Sequence, residues 1–282
     1  MLTWEDIEHL RDQTFRRTPH LRIKTLDDAE AFVNQSGFCF AFKMVNSELP
    51  CMWHAAVGER HPKYPHHVQH DPYIGLVWKT KDVLAAERKV YYGKALKKRP
   101  TFISLDYLPP FYRLRRLLDP KDYIAEYLGG NLSSQARKIM DVLSEASPKI
   151  TVDLKLAARM AHPHKRAAFD KAMAELQHKM YVVKIGEFYN PFTFLWDLVD
   201  HRYESEIHIA KTITARQARR TLLLQYFRLV WISSVREIRR LFEWNESEVT
   251  ECLSTLQQDN KIKNDIEIKD EKYPFYGVSE LK

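Results

Sequence analysis

Apolar residues recur at helical spacing from the start of the chain. Leu2, Ile7, Leu10 and Phe15 fall near one face, Thr3 stands where an N-cap belongs, and Glu5 and Asp6 suit the positive first turn. The pattern predicts a helix over residues 3–15. A second helix begins at Thr25, where Thr25 and Asp28 form a capping box with Asp in place of Glu. Gly37 ends it, and GFCFAFKM follows. With a period of two, Phe38, Phe40 and Phe42 share one face of a strand and Cys39, Ala41 and Lys43 the other. Further on, the pattern predicts a short helix over 51–57, a long polar loop, a strand over 74–79, a helix over 81–91, a strand over 101–105 and a helix over 111–118.

The remaining pattern is more regular. Helices are predicted over 132–147, 152–160 and 164–180, then strands over 181–185 and 192–199 around a turn at 186–191. Three helices followed by a β-hairpin is the order of a winged helix. The order recurs with helices over 214–230, 234–242 and 246–259 and strands over 261–268 and 273–278. RLFEWNESEVTECLSTLQQDNKI is a divergent echo of RMAHPHKRAAFDKAMAELQHKMYVV. A repeat of this length sets the architecture. The expected fold class is α+β, built of tandem winged-helix (helix-turn-helix) modules. Residues 129–208 and 209–282 are two of them, and residues 1–128 form a third, distorted copy.

Composition narrows the function classes. The chain has 282 residues, 45% hydrophobic and 29% charged, with a net charge of +7. At about 100–200 residues per domain, two or three modest domains are expected. Only 8 glycines occur, and neither GxGxxG nor GxxxxGK[ST] is present, so no nucleotide cofactor is expected. The positive excess is spread along the chain and permits an anionic partner. Cys39, Cys51 and Cys252 form no CxxC pair and read as reduced thiols. The start lacks the features of a signal peptide and no apolar run reaches membrane length, so a cytoplasmic protein with no membrane partner is expected.

Candidate chemistry lies mainly in basic residues. The third helix of a helix-turn-helix presents its N-terminal end to the major groove. Here that end carries His164, Lys165 and Arg166, with Lys171 one to two turns on, and these can contact phosphates or guanine edges. The equivalent helix of the next copy begins with Glu246 and Glu248, with Glu251 beyond, which would repel phosphates. Arg216, Arg219, Arg220 and Arg228 on its first helix, and Arg236, Arg239 and Arg240 on its second, either line a basic groove or form a solvated, salt-bridged face. The loop with His54, His61, His66, His67, His70 and Asp71 fits no helix-borne zinc motif, and no metal is expected. No GxSxG occurs. Asp106, ending an apolar strand beside Tyr107, is a weak candidate general base; a turn-forming Asp before Pro109 and Pro110 is the simpler reading.

The stretches TLDDAEAFVNQSGFCFAF and TFISLDYLPPFYRL, with the two winged-helix segments, resemble the AlkZ/YcaQ-type DNA glycosylases, and more closely their shorter AlkZ-related branch. Those bacterial proteins of tandem winged-helix modules excise alkylated or crosslinked bases. The resemblance implies double-stranded DNA as partner and a link to DNA repair, with no cofactor. Active members carry a Gln-apolar-Gln or Gln-apolar-Asp motif that positions the attacking water. Counted from Thr25, that motif falls on Phe40, Ala41 and Phe42, and neither Phe can orient water. The family's His-Glu pair would fall near Arg99 and Pro100, also unmatched, and the chain ends with its last winged helix, before the β-rich domain of longer relatives. The expectation is a DNA-binding protein of glycosylase-like architecture without that catalytic pair. The alternatives are a glycosylase with a rebuilt site, in which aromatic residues stack on an extruded base, and a winged-helix scaffold for protein contacts.

Overall fold

The computed structural model describes residues 2–44, 48–116, 118 and 122–281. In chain order the first part contains α1 (Trp4–Thr14), α2 (Leu26–Ser36), β1 (Phe38–Phe40), α3 (Met52–Val57), α4 (Pro72–Lys79), β2 (Val90–Leu96), β3 (Arg99–Ser104) and α5 (Leu108–Arg115). The second part has α6 (Asp122–Leu128), α7 (Ser134–Glu145), β4 (Lys149–Ile150), α8 (Thr151–Ala157), α9 (Arg166–His178), β5 (Val182–Tyr189) and β6 (Phe192–Leu198). After α10 (Val199–Arg202) and α11 (Glu204–Thr212) come α12 (Ala215–Val230), β7 (Ile232–Ser233), α13 (Val235–Phe242), α14 (Glu246–Gln258), β8 (Ile262–Ile266) and β9 (Phe275–Val278).

One plan is repeated. Each part runs helix, strand, helix, helix, strand, strand, and each sheet is antiparallel with its last strand in the middle: β1-β3-β2, β4-β6-β5 and β7-β9-β8. This is an α+β fold in which the same order of helices and strands occurs three times.

Local chemistry starts the helices. Thr25 and Asp28 form the expected capping box, with Asp28 N donating to Thr25 Oγ1 at 3.1 Å and Thr25 N to Asp28 Oδ2 at 3.0 Å. Thr3, Thr214, Ser234 and Asn245 cap their helices the same way.

Several sequence expectations need correction. Residues 74–79 are helical: Asp71 accepts from Ile74 N at 2.8 Å, Pro72 sits in the first turn, and Ile74 and Val77 bury one helix face three residues apart. The helix expected over 81–91 continues α4 through a π-helical turn at Thr80–Leu84 and stops near Arg88, whose φ is +59°. Val90–Leu96 is instead β2, which hairpins onto β3. The turn expected at 186–191 is mostly strand, because β5 extends to Tyr189. Helices α6, α10 and α11 have no counterpart in the sequence expectations, and part of the helix expected over 111–118 falls outside the described residues.

The burial of β1 positions everything else in the first module. Phe38 and Phe40 enter a large core shared with α5, α12 and α13, where the Phe38 ring meets Phe111 edge-on at 5.2 Å and Phe242 at 6.1 Å. Cys39 and Ala41 enter the first module's own core with Phe32, Met52 and Phe102. Phe42 departs from the expected face. The strand ends at Phe40, the chain bends at Ala41 and Phe42, and the Phe42 ring packs on the same core as Cys39.

A second junction joins all three copies. Glu243, in the left-handed conformation at the end of α13, receives His178 Nε2 from α9 at 2.9 Å, Arg115 from α5 at 3.3 Å and Lys97 from the β2–β3 turn at 3.3 Å. The other nitrogen of His178 lies 3.3 Å from the Lys94 carbonyl. The hydrogen bond from His178, with the charges of His178, Arg115 and Lys97, outweighs partial burial and holds the Glu243 pKa at about 2.

Two outcomes follow from these packings. Phe40→Ala removes a ring from a dry core and is expected to lower stability by about 3–5 kcal/mol, read by chemical denaturation. The Glu243 carboxyl has a folded pKa depressed from 4.5 to about 2, so its contribution is complete above pH 4.5 and is lost as pH falls toward 2. Thermal unfolding of Glu243→Gln should lose that part of the acid sensitivity and unfold at lower temperature than wild type at pH 7.

Candidate nucleic-acid interface

A cleft of about 660 Å³ opens between the first and second copies. Its volume lies in the range of ligand sites. From the first copy, β2 supplies Tyr92, Gly93 and Lys94. From the second, α8 supplies Lys155, α9 supplies Arg166 and Phe169, and β6 supplies Phe192, Phe194 and Trp196. The β6 aromatics arise from one period: in FTFLW, residues 192, 194 and 196 point to one face, and their rings follow at 5.1 and 5.8 Å.

Charge in the cleft is sorted by depth. Lys184 is buried, its ammonium 2.7 Å from Asp82 and 3.0 Å from Glu187, and Lys81 joins the same two carboxylates. This floor is electrically balanced, two ammoniums against two carboxylates. The Glu187 pKa is held at about 2: its bonds to Tyr189 and Lys184 and the lysine charges overcome the burial that opposes them. Lys94 and Lys155 have no ion pair among the described residues, and the Lys155 ammonium lies 4.9 Å over the Phe169 ring. At the mouth, Arg166 approaches Asp170 only at 3.9 Å, both side chains being well exposed.

The sequence candidates fall into three groups. His164, Lys165, Arg166 and Lys171 form an exposed basic end on α9 and the short turn before it. Lys165 Nζ donates to the Arg159 carbonyl at 3.0 Å, Arg166 faces the cleft, and Lys171 is unpaired among the described residues. The hairpin tip beside them exposes Phe188, Tyr189 and Phe192.

The arginines of the third copy are placed differently. Arg216 meets Glu251 at 3.2 Å, Arg220 meets Asp259 at 2.6 Å, Arg239 meets Glu246 at 2.7 Å, and Arg219 is paired with Glu248. Three carboxylates of α14 and its C-cap Asp259 thus pair with four of these cations, which corresponds to the salt-bridged alternative for this part of the face. Arg228, Arg236 and Arg240 make no ion pair among the described residues.

The remaining candidates do not converge. Phe40 is in the core and Phe42 on the other side of β1. Asp106 is exposed in the turn before α5 and borders a separate groove with Glu206 and Gln217. Of the histidine-rich loop, His61, His66, His67 and His70 are exposed, and Asp71 is used as the cap of α4. No cluster of three or more metal-ligating side chains occurs among the described residues.

The model of the AlkZ-related family matches residues 23–243, from the chain leading into α2 to the end of α13. The chain belongs to the AlkZ-related family. No curated protein matches its sequence. The structure of Streptomyces sahachiroi DNA glycosylase AlkZ resembles this one with a TM-score of 0.63 at 11% identity, over 99% of this chain and 71% of that one. At such identity the likeness is one of fold. This AlkZ-related protein therefore has a DNA-glycosylase-like architecture, and no described helix is long and apolar enough to cross a membrane.

The cleft residues Tyr92, Lys155 and Thr193 went unnoticed in the sequence, where nothing links them. The aromatic alternation at 192, 194 and 196 was the available signal. His54, which lies in α3 and not in the loop, is buried and kept neutral by its surroundings. Burial first, then the charges of Lys43, Arg17 and His61, lower its pKa from 6.5 to about 4. Folding therefore favours its neutral form, and the associated stability is complete above pH 6.5 and lost as pH falls through about 4. In a histidine-resolved NMR titration His54 should titrate near pH 4, and His54→Gln should flatten the stability change between pH 6.5 and 4.

Proposed function

We propose that this AlkZ-related protein binds double-stranded DNA and serves DNA repair, in the cytoplasm, through three winged-helix domains bounded at residues 128 and 208. The observation that carries the reading is the basic end of α9. His164, Lys165, Arg166 and Lys171 are exposed at the end of the helix that a helix-turn-helix turns toward DNA, with Asp170 the nearby carboxylate. The neighbouring aromatic tip adds a surface able to pack on sugars and bases. Family membership and the fold shared with a protein named as a DNA glycosylase support the same partner.

We read the protein as a binder that lacks the water-positioning pair of active glycosylases. Phe40 stands in an apolar core, and neither it nor Phe42 can activate water. Abasic sites formed on incubation with alkylated or crosslinked DNA would overturn this part of the reading.

Fluorescence anisotropy on a short duplex tests binding directly. Three neutralised phosphates predict about a 40-fold loss of affinity when salt is raised fourfold. The triple variant Lys165→Glu, Arg166→Glu, Lys171→Glu should abolish binding, whereas Arg216→Glu, whose cation already faces Glu251, should change it little. Absence of binding at low salt, or affinity indifferent to salt, would sink the proposal.

A further inference from the structure

The cleft has properties that backbone binding by α9 does not use. It is rich in aromatic rings, its floor is charge-balanced, and its two unpaired ammoniums, Lys94 and Lys155, come from different copies of the repeat. Thr193, also in its lining, is buried, and its hydroxyl has no hydrogen-bond partner among the described residues. An unsatisfied buried hydroxyl costs stability unless a ligand or water completes it. Thr151, by contrast, is satisfied: it donates to the Phe194 carbonyl at 3.2 Å and accepts from Trp196 Nε1 at 3.0 Å.

We propose that this cleft is a nucleotide site, holding one unpaired base among Tyr92, Phe169, Phe194 and Trp196 and its phosphate on Lys94 and Lys155. The chemistry decides the class. A purely apolar ligand would leave two unpaired ammoniums and a hydroxyl unused, and a simple anion would leave the rings unused. A nucleotide uses both, through base–aromatic stacking and phosphate–ammonium contact. Asp170 stands at the mouth beside Arg166, so the phosphate belongs on the Lys94–Lys155 side. A single free hydroxyl cannot read a full base edge, so the site accepts different bases through their faces. The cleft residues are distinct from Phe40 and Phe42, where the family's catalytic motif falls.

The inference relies on the DNA-binding reading only for the nucleotide's source, a strand or free solution. The test compares a paired duplex, the same duplex with one bulged nucleotide, and free dTMP, by anisotropy and by quenching of Trp196 fluorescence. A bulged duplex should bind about tenfold tighter than the paired one, the worth of one stacked base. Two variants should erase that difference: Lys94→Glu with Lys155→Glu, and Val152→Trp, which fills the mouth from a half-exposed position. Val152→Trp should leave paired-duplex affinity unchanged, and Trp196→Phe should remove the quenching signal. Binding of dTMP without a bulge preference would place the nucleotide's source in solution and still support the site. Equal affinity for both duplexes together with no dTMP binding would overturn it. Failure of all duplex binding would overturn the DNA reading alone, since the dTMP arm reports on the cleft independently.

Discussion

The first module depends on a three-residue strand buried on both faces. In β1, Phe38 and Phe40 serve a core shared with the third copy, while Cys39 serves the first copy's own. A strand so placed cannot carry an unpaired polar side chain without desolvation cost. The strand also fixes its surroundings: Phe40 N donates to the Pro50 carbonyl at 3.0 Å and Ala41 N to the Pro100 carbonyl at 2.9 Å. Helix α2 is held at its end by Gln225 of α12, whose amide donates to the Ser36 and Gln35 carbonyls. The positions of Phe38 and Phe40 are thus committed to structural apolar contacts.

Charge is distributed with comparable economy. Net charge alone says little about where a polyanion binds, because many cations in this protein already have carboxylate partners. Four arginines of α12 and α13 are paired with carboxylates of α14 or its C-cap, and Arg116 is buried against Asp122 and Asp200. Among the cations without an ion pair in the described residues are Lys171 at the exposed basic end of α9 and Lys94 and Lys155 in the cleft beside it. The repeat therefore gives three similar frames with different surfaces, one of them basic and aromatic at its tip.

Sequence reasoning recovered what is local. The Thr25–Asp28 box, the helix starts at Thr214 and Ser234, and the repeated order of helices and strands depend on neighbours within a few residues. It misread 74–79 because Ile74 and Val77 suit either period over so short a span, and the cap from Asp71 decides the matter. It placed Phe42 on the wrong face because alternation holds only while a strand continues, and this strand stops at Phe40. The pairing of Arg216 with Glu251 and the presence of Tyr92 and Trp196 in the lining of one cleft are long-range facts. No periodicity encodes them, although the acidic start of α14 and the FTFLW alternation each gave half of the answer.

The cleft is bounded by two modules, yet its width is not free to vary. At one end of α9, His178 is fastened to Glu243 and faces the Lys94 carbonyl, and across the floor Lys184 bonds Asp82 of the first copy. These ties make the opening a preformed aperture. An entering group is spared the entropy of closing walls around itself, and one too wide for the gap must break buried ion pairs to enter. On the proposed nucleotide reading, the junction at Glu243 sets from a distance the gap that a base must enter.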